Sequence, residues 1–259
     1  MRIQEGVSVG EVAALSPAAA GVLEKYGIDY CCSGKRSFED ACRERGLSTA
    51  QVGDEIDQAV NASAKPMKDW NAAPLRELIQ HIVATHHEYL RLELPRVGQR
   101  LRRVVQAHGA KDPETLNELE AVYHEMWREL EMHIHKEELM LFPTIDRYEA
   151  AVQNGRPLPP VPFGSIANPI AVMEREHDSA GGALDRIREL TRGFQAPEYA
   201  CATYHSMLEG LKALEADLHT HVHLENNILF PRAIAFEQAH SGQTTVATAP
   251  GLSHAARQG

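Results

Sequence analysis

From Ala73 onward, apolar residues recur at the three- and four-residue spacing of amphipathic helices. Leu75, Leu78, Ile79, Ile82, Leu90, Leu94, Val97 and Leu101 form one stripe; Leu116, Leu119, Tyr123, Met126, Leu130, Leu141 and Ile145 form a second. A break rich in Pro and Gly at 154–164 precedes a third stripe, Ile170, Met173, Ala180, Leu184 and Ile187. The fourth is Leu208, Leu211, Leu214, Leu218 and Leu229. Four long helices, each with one apolar face, predict an all-α fold built on an antiparallel four-helix bundle over 73–238. Pro95 falls inside the first helix and is expected to kink it.

The pattern differs on either side of the bundle. Shorter amphipathic stretches at 9–26, 37–45 and 48–62 predict a small helical domain over 1–65. Ser16-Pro17 suits an N-cap and first turn, and Gly27 and Gly46 suit helix stops. The polar, Lys- and Pro-containing run at 63–69 predicts a linker, placed at 66–72 between the domains. Residues 239–259 carry small and polar residues without a stripe and are expected to be disordered.

The 259 residues are 43% hydrophobic and 24% charged, as in ordinary folded domains. No apolar run reaches the length of a membrane helix, and the first residues lack the apolar core of a signal peptide, so a cytoplasmic location without membrane attachment is expected. The net charge of −10 repels phosphate backbones and argues against a nucleic-acid partner. Four cysteines, two of them adjacent, are expected to be reduced thiols. The unusual feature is His 14, all but two of them between His81 and His223.

An internal repeat organises these histidines. His133 and Glu137 precede Leu141-Phe142-Pro143; His221 and Glu225 precede Leu229-Phe230-Pro231 at the same offset. One helical turn puts each His and Glu side by side, and the neighbouring leucines put both pairs on core-facing stripes. Buried carboxylates beside buried imidazoles are costly unless a cation joins them. A single histidine upstream of each motif, His177 for the second and His86 or His87 for the first, completes a set of four imidazoles and two carboxylates. The helical wheel does not choose between His86 and His87. That donor set exceeds one tetrahedral zinc and suits two first-row metals bridged by carboxylates, iron first among them. His124, His135, His219 and His223 fall on the far sides of their wheels, and His81, His108, His205, His240 and His254 have no matching partner, so each of the nine is expected to be solvated or incidental. Cys42, Cys201 and the Leu-Phe-Pro segments are expected to be structural, the latter as helix ends and core.

With these residues in place, the chain resembles the RIC (repair of iron centres) family, di-iron proteins of the YtfE/ScdA type with a hemerythrin-like bundle. The resemblance runs from about Val7 to Ala235. It rests on Tyr26-Gly27-Ile28-Asp29-Tyr30-Cys31-Cys32, on the two His-x-x-x-Glu motifs with their Leu-Phe-Pro, and on Met173-Glu174-Arg175-Glu176-His177-Asp178. Ser33 stands where the family often has Gly. The resemblance implies His87, His133, His177 and His221 as terminal ligands and Glu137 and Glu225 as bridges; Leu94-Pro95 selects His87 over His86. It implies two iron ions with an oxo or hydroxo bridge, and a catalytic or transfer role for Cys31 and Cys32. It also implies a stress-response protein, monomer or homodimer, whose partners are damaged iron–sulfur proteins, with nitric oxide or dioxygen as small ligand. Repair by iron donation or nitric oxide chemistry is the implied function; a dioxygen or nitric oxide sensor, and a nitric oxide or peroxide reductase, are the competing readings.

Overall fold

A computed structural model describes residues 6–62 and 68–241. Its elements are helical; among the described residues a lone bridge between Ser8 and Ser37 is the only β pairing. Among the described residues no helix is long and apolar enough to cross a membrane.

Four short helices form the N-terminal part: α1 (Val9–Ala13), α2 (Pro17–Lys25), α3 (Phe38–Glu44) and α4 (Thr49–Ala62). The 9–26 stretch is two helices because Ser16, extended ahead of Pro17, caps α2 through its side chain to the Ala19 N–H. Gly27 and Gly46 end α2 and α3 in the left-handed region, at φ 63° and 66°. The Ile28 and Leu47 N–H groups then reach back to Leu23 and Cys42, at 2.9 Å each. Val9, Val12, Leu23, Phe38, Cys42 and Ile56 pack into a core of this part's own.

The bundle's first helix is α5 (Leu75–Ile82), a π turn at Val83–His87, and α6 (Glu88–His108). The second is α7 (Pro113–Lys136), a π turn at Glu137–Leu141, and α8 (Phe142–Gln153). The third, α9 (Ala167–Leu190), has no π turn. The fourth is α10 (Ala202–His223), a π turn at Leu224–Leu229, and α11 (Phe230–His240). α6 packs against α7 and α10, and α7 against α9. Every residue of the four predicted stripes is buried. Helix α6 continues through Pro95.

The Leu-Phe-Pro segments do not end helices: α8 and α11 run on through them. Proline has no N–H to give to the i−4 carbonyl, and each of these prolines lies two residues past the end of a π turn, beside the place where the ladder already slips by one residue. Two apolar cores fill the bundle, one around Leu101, Tyr123, Met126 and Leu211, the other around Leu78, Ile82, Ile145 and Phe230. His87, His177 and His221 fall between the residues of one core and those of the other, and on the second long helix Glu137 does. The polar layer is thus sealed above and below.

Of the predicted linker, residues 63–67 lie outside the described residues, while 68–72 are anchored. Arg232 donates to the carbonyls of Trp70 and Ala73, at 2.5 Å each, and Asn71 to that of Ala14 at 3.2 Å. Of the tail, α11 includes 239 and 240, and residues 242–259 lie outside the described residues.

Candidate metal centre

Six side chains from all four bundle helices meet in the sealed layer. His87, Glu137, His221 and Glu225 form one group, and His133, Glu137, His177 and Glu225 another; within each, the candidate ligand atoms lie within 4.8 Å of one another. Both carboxylates belong to both groups. Glu225 turns Oε1 toward His221 Nε2 at 2.9 Å and Oε2 toward His177 Nε2 at 3.1 Å, one oxygen to each half. Glu137 Oε2 lies 3.3 Å from His133 Nε2 and 3.5 Å from His87 Nε2. The π turns at His87, Glu137 and Glu225 carry three of the six residues.

All six are 2% exposed or less, so water does not solvate them. Both oxygens of Glu137 and Oε2 of Glu225 have no hydrogen-bond donor. Burial opposes ionisation of Glu225, yet His221, His177 and His87 hold it well below the carboxylate range. Burial likewise disfavours charge on His87 and His133, but the two carboxylates hold each imidazole up at about 10, so each binds a proton tightly. Four Nε2 atoms converge as close as 3.0 Å (His177 to His133) and 3.2 Å (His87 to His221). Converging nitrogens and orphaned carboxylate oxygens in a dry layer fit a pair of cations, each offered two imidazoles and two shared carboxylates.

The outer nitrogens repeat the pseudo-twofold pattern. His87 Nδ1 donates to Glu138 at 2.7 Å, and His177 Nδ1 to Asn226 at 2.8 Å, each acceptor directly following one of the two shared glutamates. His133 Nδ1 donates to Glu176 at 3.0 Å. Such bonds fix the ring and leave Nε2 free to ligate. Glu176 is itself drawn down to about 2 by His133 and Lys136. Phe142 stacks on His87 and Phe230 on His177, with ring planes 13° and 5° apart. The phenylalanines of the Leu-Phe-Pro motifs are thus walls of the site as well as core.

His135 and His205 are exposed as expected, while His254 lies outside the described residues. His223 and His108 are buried instead. Asn227 Nδ2 lies 3.0 Å from His223 Nδ1, Tyr30 packs edge-on against that ring, and burial lowers its pKa to about 4. His108 Nε2 lies 3.3 Å from the exposed Cys201 thiol, so Cys201 has a polar partner rather than a packing role.

Cys31 and Cys32 sit where the N-terminal part meets the bundle, their sulfurs 3.8 Å apart. The Cys32 thiol lies 3.6 Å from the backbone carbonyl of His177. Its contact with Cys32 and burial push the Cys31 thiol pKa up. The pair lines a cavity of about 600 Å³ with Asp29, Arg45, Asp178 and Asp185. Asp29, Cys31 and Cys32 are close enough to hold an ion, but the Asp29 carboxylate already accepts from the N–H groups of Cys31, Cys32 and Ser33, at 3.0, 3.0 and 3.1 Å.

Fold and site together define a hemerythrin-type cation-binding bundle carrying a small helical domain ahead of it. Residues 78–233 match the hemerythrin HHE cation binding domain family, and residues 5–60 match ScdA_N, a domain of unknown function (DUF542). The iron-sulfur cluster repair proteins YtfE of Escherichia coli O8 (strain IAI1) and Shigella boydii serotype 4 (strain Sb227) are each 36% identical over 231 residues, 88% of this chain and 97% of theirs. The chain belongs to this YtfE-type, hemerythrin-like family.

Proposed function

We propose that this chain is a di-iron protein that helps restore damaged iron–sulfur clusters. The observation that carries the reading is the sharing of Glu137 and Glu225 between two buried His–Glu groups. His87 and His221 would hold one iron, His133 and His177 the other, with both glutamates as bridges. One tetrahedral zinc would be satisfied by half of this donor set, whereas two first-row metals use all of it. Bound iron would supply a site for nitric oxide or dioxygen and a store of iron for a damaged cluster.

The chain's own residues do the rest. Glu138, Glu176 and Asn226 keep three imidazoles with Nε2 inward, while Phe142 and Phe230 limit water beside the rings. Cys31 and Cys32 would receive or pass on iron or a nitrosyl group, a role supported by their position beside the His177 backbone and on the wall of the cavity. The partners that fit are damaged iron–sulfur proteins, in keeping with the iron-sulfur cluster repair for which the relatives are named.

The test is metal content with Mössbauer and optical spectra on protein purified without added metal, followed by rescue of a damaged iron–sulfur enzyme. Two irons per chain and a coupled, carboxylate-bridged signature are expected. Cys31→Ala with Cys32→Ala should keep that signature and lose rescue. Zinc, or no metal after anaerobic iron loading, would overturn the reading; stable reversible oxygenation without iron loss or rescue would replace it with a dioxygen carrier.

A further inference from the structure

Glu138 and Asn226 are one pair of equivalent positions at which the two halves of the centre differ. Glu138 and Asn226 each follow a bridging glutamate and each accept the Nδ1 proton of an imidazole across the bundle. The second oxygen of Glu138 accepts from Arg91 at 2.6 Å. The second polar atom of Asn226 is an amino group, and Nδ2 donates to the backbone carbonyl of Cys31 at 3.2 Å. A carboxylate at position 226 could serve His177 but would confront that carbonyl with lone pairs.

On the reading of His177 as a metal ligand given above, we propose that Asn226 is a positioning residue that ties the Cys31–Cys32 loop to the metal centre. A metal on Nε2 leaves the ring's proton on Nδ1, which obliges Asn226 to present Oδ1 to His177 and Nδ2 to the loop. Neighbouring contacts make the tie local and stiff. Asn227 Nδ2 donates to the Tyr30 carbonyl at 2.9 Å. A β-carbon on Gly10 or Gly34 would come within 2.2 or 2.3 Å of Asn227 Oδ1, so glycine at both positions makes room for that side chain. One turn beyond His177, a β-carbon on Gly181 would lie 3.2 Å from the Cys32 sulfur; its absence leaves the notch in which the thiol rests. Asp29 gathers the Cys31, Cys32 and Ser33 N–H groups, so the Asn226 contact at the Cys31 carbonyl bears on the whole turn.

The experiment is iodoacetamide labelling of the full, metal-loaded chain under native conditions, resolved cysteine by cysteine by mass spectrometry, with metal content measured on the same samples. Asn226→Asp keeps the acceptor for His177 and loses the donor to Cys31. At matched metal content it should label Cys32 roughly five- to tenfold faster than the parent, while Cys42 in the core of the N-terminal part stays protected. Asn226→Ala should release the loop equally and also lose metal faster to a chelator. Cys32 labelling within about twofold of the parent in both variants overturns the proposal, as does equal acceleration at Cys42. A parent that binds no metal sinks the reading of His177 and the tie with it; unchanged labelling in a parent that does bind metal sinks the tie alone.

Discussion

His86 lies flat against His221, ring centroids 5.6 Å apart and planes 3° from parallel, yet its Nδ1 turns away to Asp217 at 2.9 Å. In the other half the residue before His177 is Glu176, and it accepts the proton of His133. His221 Nδ1 is accordingly the one outer nitrogen of the four without a partner. An imidazole lacking that acceptor is less basic and less fixed, and such outer bonds are worth about 10- to 100-fold in metal affinity. The His87–His221 position should therefore empty first. Chelator titration followed by metal analysis should pass through a species with one metal per chain; loss of both in a single step would contradict this asymmetry.

The shared carboxylates carry a second prediction. Replacing Glu137 or Glu225 by Gln removes a negative charge from both metal positions at once, since each residue belongs to both groups. Either variant should lose metal from both positions, unlike a His variant, which should spare the opposite half. His135→Ala, at an exposed position on the same helix as His133, serves as the control and should keep full occupancy. Full occupancy in Glu137→Gln would remove that residue from the bridge.

What the sequence made legible was whatever depends on one helix at a time. The four stripes, the caps at Ser16, Gly27 and Gly46, and the core-facing side of His133, Glu137, His221 and Glu225 follow from local periodicity. His86 and His87 resisted because a regular wheel advances by a fixed angle, whereas the π turn at Val83–His87 shifts the phase there and buries both rings. His223 was misread for another reason: its wheel shows the bundle but not the N-terminal part, whose Tyr30 covers it. The stacking of Phe142 and Phe230 and the reach of Asn226 are contacts between elements, beyond any single helix's pattern. The one available signal was position, since Glu138 and Asn226 hold the same place in the repeat.

The contact between His219 and Glu24 joins the N-terminal part to α10, with Nδ1 and Oε1 3.5 Å apart. Burial alone would lower the His219 pKa, but Glu24, supported by Glu215 and Asp29, raises it. A raised imidazole stabilises the folded state fully below the unfolded histidine value of about 6.5, and that stability is lost as pH rises through the folded value. Glu24 is lowered by the same partner, so its share appears above the ordinary carboxylate range and is lost in acid. Because Glu24 remains partly exposed, the pair is worth less than about 1 kcal/mol. Glu24→Gln should lower the melting temperature of metal-free protein near about pH 6 and have little effect near about pH 9. A deficit that is constant across that range would remove His219 from the contact.

Cys201 opens α10 at the exposed end of a pair whose other member, His108, is buried between Tyr199 and Tyr204, with ring centroids 5.7 and 5.8 Å away. The His108 hydrogen bond draws the thiol down to about 7, so much of it is thiolate at neutral pH. Alkylation of Cys201 should therefore rise with pH through a midpoint near 7 and, at that pH, outrun alkylation of Cys31, whose pKa is pushed the other way. His108→Leu should carry the midpoint up toward the ordinary thiol value of about 8.5. The readout is the rate of iodoacetamide incorporation at the Cys201 peptide as a function of pH. An unmoved midpoint in His108→Leu would show that the imidazole does not activate this thiol.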